Sequence, residues 1–362
     1  RPKPAVAEER SPYPGLAAFT EGDAELFFGR EAEVEGLWAK IRRQKLLGLI
    51  GPSGAGKTSF LRAGLLPSRT QGWGGVVCQP GNAPLVALGR ALVSELSGDT
   101  AALQELVHLE DPEVALSVLG RWRKRHQQAV LIVDQFEELF TLNPPDVQGR
   151  FASLLGRLAS EADVHVLLSM RDDFLFRCHE HEALEAVFAE LTPLGPPTGA
   201  ALRQALVQPA QKHGFRFEDD ALAEEMLSEV AEERGALPLL AFAVSRLWER
   251  RNREEKLLTR AAYKETGGVG GALAQHAEAT MDRIGAEGQG PVREIVRKLV
   301  SAQGTRAVMD REELLSAFPD RGAAEEVLVR LVDARLLTSY ETEGKEGEPS
   351  HHRIEVVHES LL

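Results

Sequence analysis

Residues 46–59, LLGLIGPSGAGKTS, decide the fold class of this chain. An apolar run ends at a glycine, a loop of small residues follows, and a lysine and two hydroxyl residues close the stretch. Residues 51–58 fit the phosphate-binding pattern G-x-x-x-x-G-K-[ST] at every position. The apolar run predicts a buried strand, and the helical spacing of apolar side chains predicts a helix over residues 58–65.

Strand, loop and helix in this order give the loop a defined chemistry. The backbone N–H groups of a glycine-rich turn at a helix N-terminus point toward one anion. Lys57 is expected on the β and γ phosphates of a nucleotide, and the Thr58 hydroxyl is expected on Mg²⁺. The predicted phosphate-binding residues are Gly51, Pro52, Ser53, Gly54, Ala55, Gly56, Lys57, Thr58 and Ser59.

A second motif closes another apolar run. Residues 129–134 read AVLIVD, which is typical of a central parallel strand that is buried on both faces and ends in a carboxylate. P-loop proteins hold the metal through such an acid at the end of a neighbouring strand. Asp134 is therefore the predicted second metal contact.

The residue that activates the attacking water is harder to assign. Many P-loop ATPases carry an acid directly after the metal-binding aspartate, whereas this chain has Gln135 there. Glu137 and Glu138 follow, and either carboxylate can orient or deprotonate a water molecule. Acids are also favoured at a helix start by the helix dipole. The sequence leaves open whether Glu137 or Glu138 is the base, and hydrolysis is slow if neither serves.

Two further stretches are candidates for nucleotide contacts. Residues 164–170 predict a third strand, and Arg171 follows it directly, where an arginine can sense or stabilise a γ-phosphate. Residues 234–240, RGALPLL, lie between two predicted helices, where a Gly-x-x-Pro turn can expose backbone to a base or ribose. Turn chemistry alone explains that second stretch equally well.

Several stretches together carry a family resemblance. They are SPYPGLAAFTEGDAELFFGRE (11–31), the phosphate loop (51–58), VVCQPGNAPLVALGRAL (76–92), LIVDQFEELF (131–140), LLSMRDDFL (167–175), GALPLLAFAVSRLW (235–248) and VVHESLL (356–362). The chain resembles the STAND class of signal-transducing P-loop NTPases, and closely its bacterial branch of novel STAND NTPases. The resemblance runs nearly end to end and is far more specific than a P-loop.

The resemblance implies a nucleotide-governed switch. In such proteins ADP holds a closed, inactive monomer, and ATP permits an open form that assembles. It places Phe28, Gly29 and Arg30 near the adenine, Pro238 against the nucleotide, and His358 on the β-phosphate of ADP. A satisfied polar residue at a strand-to-helix junction is the alternative for His358. Gln135 departs from the pattern of many switches, which leaves the catalytic base the least secure assignment.

Composition permits this interpretation. The chain has 362 residues, of which 43% are hydrophobic and 27% charged, as in ordinary globular proteins. No apolar run approaches the length of a bilayer span, and Cys78 and Cys178 fit no metal pattern. A reducing, cytoplasmic location is the simplest expectation for them. The start without methionine and the apolar end predict a central piece of a longer protein, with effector and sensor modules fused outside it.

Shifts in pattern along the chain predict its organisation. Residues 1–20 read as a linker and lead-in, and 21–196 alternate strands and helices as in an α/β P-loop NTPase core, a parallel sheet flanked by helices. Glycine and proline residues at 195–198 break the pattern. Residues 197–289 predict an α-helical domain with a further break at 267–271. Residues 290–362 predict helices followed by a two-stranded hairpin, which indicates a winged-helix domain.

A winged helix raises DNA handling as a rival function. Basic and acidic residues balance within 291–340, acids predominate within 341–362, and the whole chain carries a net charge of −13. Such a chain lacks the basic surface that a phosphate backbone requires, so nucleic acid is not an expected partner. A P-loop kinase for a small molecule is a third candidate, but no acceptor site is apparent. The prediction is an ATP/ADP switch with slow Mg²⁺-dependent hydrolysis and self-association when ATP is bound.

Overall fold

The computed structural model describes residues 11–52, 54–230, 236–300, 307–334, 336–342 and 351–356. They form an α/β region, a helical region and a C-terminal region. The α/β region contains β1 (Leu46–Ile50), β2 (Trp73–Cys78), β3 (Gln128–Val133), β4 (His165–Met170), β5 (Leu191–Pro193), α1 (Glu31–Ile41), α2 (Lys57–Ser59), α3 (Pro84–Leu92), α4 (Thr100–Glu105), α5 (Pro112–Lys124), α6 (Glu137–Leu142) and α7 (Pro145–Ser160). Short 3₁₀ helices add Glu21–Leu26, Leu106–His108, Asp172–Glu180 and Glu182–Ala189.

The five strands form one sheet in the order β2-β3-β4-β1-β5, and every pair within it is parallel. This confirms the predicted parallel sheet flanked by helices. The strand β4 lies between β1, which leads into the phosphate loop, and β3, which leads to Asp134. Since all carboxyl ends meet at one edge of a parallel sheet, the three predicted motifs converge there.

The sheet is buried on both faces, as the sequence of β3 illustrates. Ala129, Leu131 and Val133 pack into one hydrophobic cluster, while Val130 and Ile132 pack into a second cluster. Successive side chains of a strand point to opposite faces, so helices on both sides require an uninterrupted apolar run. Each fully buried aliphatic side chain contributes about 1.5–3 kcal/mol.

The helical region has a hydrophobic core of its own. It contains α8 (Gly199–Lys212), β6 (Arg216–Phe217), α9 (Asp220–Val230), α10 (Ala236–Glu249), β7 (Leu257–Leu258), α11 (Arg260–Glu265) and α12 (Gly268–Ile284). Trp248 lies at the centre, with Tyr13 and Phe215 packed edge-on against its ring at 6.1 Å and 4.8 Å between centroids. The N-terminal segment therefore packs on this region although it precedes the α/β region in sequence.

Two predicted breaks in this region overlap helices. The described part of α10 starts at Ala236, so Pro238 lies in the first turn of its described residues rather than in a turn outside the helix. Proline fits there because the first N–H groups of a helix have no partner within it. The helix α12 begins at Gly268, so most of the predicted glycine break at 267–271 is helical.

The C-terminal region contains α13 (Ala286–Lys298), β8 (Met309–Asp310), α14 (Arg311–Ser316), α15 (Arg321–Asp333), β9 (Leu337–Thr342) and β10 (His351–Val356). Its strands pair antiparallel in the order β8-β10-β9. Aspartates cap two of its helices: Asp310 accepts from the N–H of Glu312 at 2.8 Å, and Asp320 accepts from that of Ala323 at 3.0 Å. Among the helices of the described residues, none has the length and apolar character to cross a membrane.

Candidate functional site

The loop between β1 and α2 has the backbone that its glycines require. Gly56 precedes α2 with a φ of 85°, in the left-handed region that side chains with a Cβ rarely adopt. A Cβ on Gly51 would collide with the carbonyl oxygen of Leu194, which follows β5. The predicted helix over 58–65 is present, as α2 followed by a π-helical stretch at Phe60–Leu65. Single π turns are frequent at functional sites.

The Lys57 side chain folds back over this loop. Its Nζ donates to the carbonyl oxygens of Gly51 at 2.6 Å and Pro52 at 2.9 Å. Burial lowers the pKa of Lys57, and the nearby carboxylates of Glu137 and Asp134 oppose that shift. The ammonium group therefore sits among charges of both signs, at the position where the sequence predicts phosphate groups.

Asp134 lies directly after β3 and is 1% exposed. Its Oδ1 accepts from the N–H of Gln135 at 3.0 Å, and its Oδ2 has no hydrogen-bond partner within the described residues. Gln135 has a φ of 51°, and the chain turns so that Phe136 donates its N–H to the carbonyl of Ser169 on β4 at 2.8 Å. A buried carboxylate oxygen without a partner fits a metal ligand, because leaving it unpaired carries a large free-energy cost.

A magnesium ion suits this donor set. Mg²⁺ keeps several waters and binds through one or two protein oxygens plus substrate phosphates. Asp134 and the Thr58 hydroxyl line the same cavity. Within the part of the chain that the structure describes, no group of three or more His, Cys, Asp and Glu side chains forms an alternative metal cluster.

The two candidate bases have different surroundings. Glu137 lines the cavity beside Lys57, and its Oε2 accepts from the N–H of Arg171 at 3.4 Å. Burial raises the pKa of Glu137, while Lys57 opposes the rise. Glu137 therefore combines access to the site with increased basicity.

Glu138 instead holds a loop. Its Oε2 accepts from the N–H of Gly81 at 3.0 Å, in the segment that follows β2. Asn143 donates from Nδ2 to the carbonyl oxygens of Gly81 at 2.7 Å and Glu138 at 3.2 Å. Burial raises the pKa of Glu138 to about 7. The Glu138 carboxyl group is therefore hydrogen-bonded within the protein and is not part of the cavity wall.

Arg171 follows β4, the strand between the phosphate loop and Asp134. It lines the cavity, and its guanidinium carbon lies 5.5 Å from the centre of the Phe174 ring. A cation over a ring face is attracted by the ring quadrupole. The Arg171 charge is also near enough to Lys57 to contribute to lowering the pKa of that lysine.

Arg30 is 7% exposed and links three parts of the α/β region. Its guanidinium donates to the carbonyl oxygens of Ala55 at 3.3 Å and Gly195 at 2.6 Å, and to Glu33 at 2.9 Å. Arg30 thus ties the start of α1 to the phosphate loop and to the segment after β5. It borders the cavity with Phe28.

The cavity has a volume of about 310 Å³ and two chemically different sets of lining residues, here called the polar end and the apolar end. The polar end consists of the loop from Gly54 to Ser59 with Asp134, Gln135, Glu137 and Arg171. The remaining wall is largely apolar. It is formed by Pro14, Gly15, Leu16, Ala17, Ala18, Phe19, Leu26, Phe27, Phe28, Pro197, Ala205, Leu237 and Ala241.

Sequence reasoning did not single out residues 14–19 or Ala205 as site residues. The only signal was the SPYPGL stretch, which carries no local chemistry of its own. Ser59, predicted to bind phosphate, accepts from the N–H of Phe19 at 3.1 Å. Ser53, the side chain of Pro238 and all of His358 lie outside the described residues, so the roles assigned to them stay predictions.

Comparison with known proteins agrees with this architecture. The Walker-type ATPase PABY2304 of Pyrococcus abyssi superposes with a TM-score of 0.53 at 16% identity, over 96% of this chain and 97% of that chain. At that identity the likeness shows the fold alone. The ORC1 protein of Aeropyrum pernix, solved in complex with DNA, gives a TM-score of 0.49 at 16% identity, over 92% of each chain. No curated protein sequence matches the chain.

The profile of one protein family, described as Novel STAND NTPase 1, matches residues 12–362. The match begins next to Tyr13 and includes the phosphate loop, Asp134, Arg171 and the helical region that closes the cavity. The chain belongs to the novel STAND NTPase 1 family of P-loop NTPases.

Proposed function

We propose that the chain is an ATP- and ADP-binding switch with slow Mg²⁺-dependent hydrolysis. One observation carries the proposal: Lys57 and Asp134 of the α/β region face the same cavity as Ala205, Leu237 and Ala241 of the helical region. A nucleotide bound there contacts both regions. It can change the relative position of the two regions only if its contacts differ between a closed and an open arrangement of them.

The moving parts are three domains with the boundaries 21–196, 197–289 and 290–362, preceded by a linker at 1–20. Separate hydrophobic clusters in the helical and C-terminal regions support this division. The C-terminal order of helix, short strand, two helices and an antiparallel strand pair supports a winged helix.

Within the cavity, the phosphates lie on residues 51–59 and the adenine lies against the apolar wall near Phe28, Gly29 and Arg30. The volume and the division into a polar and an apolar end support this orientation. Pro238 packs against the nucleotide from α10. His358 contacts the β-phosphate of ADP and so favours closure.

For hydrolysis, Glu137 is the base and Arg171 stabilises the γ-phosphate. The cavity position of Glu137 and its raised pKa support that role over Glu138, whose carboxylate is bonded to Gly81. Thr58 and Asp134 hold Mg²⁺, which when bound neutralises phosphate charge. Gln135 occupies the position next to the metal aspartate and contributes no acid there, which is consistent with slow turnover.

The two nucleotides then produce different states. ADP, held by the loop and His358, favours a closed monomer. ATP adds a γ-phosphate that Lys57 and Arg171 contact, which favours opening and self-association. The net charge of −13 gives no support to a DNA-handling alternative, and no acceptor site supports a small-molecule kinase.

The experiment that tests the proposal is to denature freshly purified protein and identify any released nucleotide by chromatography. About one ADP per chain is expected, because a closed switch retains its product. Lys57→Ala, purified in parallel, should release none. Absence of nucleotide together with rapid, DNA-stimulated ATP turnover would contradict the switch and favour a DNA-handling ATPase.

His358 is tested separately by comparing the affinities for ADP and ATP. His358→Ala should weaken ADP binding more than ATP binding, because only the closed, ADP-bound form places that residue on the phosphate. Equal losses for the two nucleotides would contradict the assigned contact.

A further inference from the structure

The side-chain hydroxyl of Tyr13 makes two hydrogen bonds to the backbone of α8. Its hydroxyl donates to the carbonyl of Leu206 at 2.6 Å and accepts from the N–H of Ala210 at 3.2 Å. These two groups are four residues apart, so they are the pair that bond each other directly in a regular α-helix. The side chain is 4% exposed. One buried hydroxyl thus hydrogen-bonds to both the carbonyl and the N–H group that would pair with each other in a regular helix.

Pro209 accounts for the position of this bridge. It lies within α8 directly before Ala210, has no N–H, and crowds the carbonyl four residues earlier, which belongs to Ala205. Sharp bends of helices occur at prolines and at places where a side chain inserts into the ladder of backbone hydrogen bonds. Ala205 also lines the cavity, so the part of α8 that carries Pro209 and the Tyr13 contact also forms a wall of the site.

The chain that follows Tyr13 runs along the cavity to the phosphate loop. Residues 13–19, here called the strap, contribute their segment 14–19 to the apolar wall. Gly15 has a φ of 68°, and a Cβ there would lie 3.1 Å from the Ser245 hydroxyl of α10. At the far end, Phe19 donates its N–H to Ser59 Oγ at 3.1 Å. The strap is therefore fixed to the helical region at one end and to the phosphate loop at the other.

We propose that Tyr13 is a positioning residue for the base end of the nucleotide site, acting through the strap that it anchors on α8 at Pro209. This inference rests on the proposed function, since it assigns the apolar wall to the base of a bound nucleotide. Tyr13 itself contacts no nucleotide. Its hydroxyl fixes where residues 14–19 lie, and the phosphate loop does not depend on it for its own geometry.

The test separates the two ends of the site by using two probes, Mg²⁺-ATP and Mg²⁺-tripolyphosphate, in calorimetric titrations of protein from which retained nucleotide has been removed. Tyr13→Phe keeps the ring on Trp248 and removes only the hydroxyl. ATP should bind about tenfold more weakly, because residues 14–19 lose their anchor on α8, whereas tripolyphosphate affinity should change less than about twofold. A general loss of structure would weaken both probes together.

A matched control is Tyr263→Phe. Tyr263 is another buried tyrosine of the helical region, 2% exposed, and it is not part of the cavity wall. The ratio of ATP to tripolyphosphate affinity should remain that of the wild type. If Tyr263→Phe lowered this ratio as much as Tyr13→Phe does, the loss of any buried tyrosine hydroxyl in the region would weaken ATP binding. That result would overturn the role of Tyr13.

A double-mutant cycle tests the link to α8. Pro209→Ala restores the N–H at position 209 and removes the crowding by the proline ring. The Ala210 N–H can then bond to the Leu206 carbonyl, as in a regular helix, without the tyrosine hydroxyl. In that background, adding Tyr13→Phe should cost less than about twofold in ATP affinity, because coupled residues are not additive. The same tenfold cost in both backgrounds would contradict the anchoring. If Tyr13→Phe alone does not fold, the step from Pro209→Ala to the double variant still tests the link, and a tenfold loss of ATP affinity in that step would contradict the anchoring.

The outcomes also distinguish the inference from the proposed function. A wild-type protein that binds neither ATP nor tripolyphosphate overturns both. A wild type that binds ATP, with Tyr13→Phe either matching it or losing both probes equally, overturns only the inference about the strap.

Discussion

The two ends of the cavity are built in different ways. At the polar end, the loop from Gly54 to Ser59, Asp134 and Arg171 each follow a strand of one parallel sheet. At the apolar end, the strap, Ala205 and Leu237 come from parts of the chain that are far apart in sequence. The polar end depends on local backbone geometry, and the apolar end depends on how the helical region packs on the rest.

This difference has a functional consequence. Chemistry directed at phosphate needs fixed donors, and the carboxyl edge of a buried parallel sheet supplies them with little freedom to move. A wall shared between regions is free to change when the regions move, which is what a switch requires. Substitutions at the polar end should therefore alter binding and turnover, whereas those at the apolar end should alter the coupling of regions and their stability.

The largest effect is expected for Lys57→Ala at the polar end. The side chain supplies the charge that phosphate requires, so ATP and tripolyphosphate affinities should both fall at least about a hundredfold. Lys212→Ala is the control, because that lysine is exposed and pairs with Glu25 away from the cavity. Calorimetric titration measures both. Retained ATP affinity in Lys57→Ala would contradict the assignment of the loop.

The second prediction separates the two acids. Glu137→Gln should slow ATP hydrolysis by about a hundredfold or more with little change in ATP affinity, because it removes a base but keeps the side-chain volume. Glu138→Gln should leave turnover within about threefold, because its carboxyl group faces the loop at Gly81 rather than the cavity. Single-turnover assays measure both rates. The opposite ranking would assign the base to Glu138.

The third prediction concerns the packing of the helical region on the segment before α1. Gly29 has a φ of 83°, and a Cβ there would collide with the carbonyl oxygen of Ala201 on α8. Gly29→Ala should therefore lower the free energy of unfolding by about 2–4 kcal/mol. Gly36, an exposed residue of α1 with free space around it, is the control. Gly36→Ala should raise stability by about 0.5–1 kcal/mol. Chemical denaturation measures both, and equal effects would contradict the close approach at Gly29.

The contrast between the two ends of the cavity also explains which site residues the sequence predicts and which it does not. The strands that precede Gly51, Asp134 and Arg171 can be predicted from the sequence. Each is an apolar run, and the point where such a run ends marks the edge of a parallel sheet. The strap has no such mark: Tyr13 acquires its role only through the backbone of Leu206 and Ala210, far along the chain. No local pattern encodes that contact.

Two local details are not specified by the sequence. Spacing predicts a helix over 58–65 but not the π-helical hydrogen bonding of Phe60–Leu65, where Gly64 lies against Phe27 and a Cβ would be 2.9 Å from its ring. Pro238 lies near the start of the described part of α10, so a proline that the sequence predicts to be part of a turn is compatible with a helix. Residue spacing alone decides neither case.

The smallest expected effect is a pH dependence of stability that arises at Glu138, which is bonded to Gly81 beside the polar end. Burial raises the pKa of Glu138 from 4.5 to about 7 in the folded chain. Between these values the folded state binds more protons than the unfolded state, so this group's contribution to stability is lost as pH rises toward and through 7. Glu138→Gln removes the titration. The variant should therefore gain stability relative to wild type by about 1 kcal/mol between pH 5 and pH 8, less than the full linkage value because of residual solvent exposure. Denaturant titrations of both proteins at these two pH values measure the gain, and a difference that shrinks as pH rises would mean that the folded site favours the charged carboxylate.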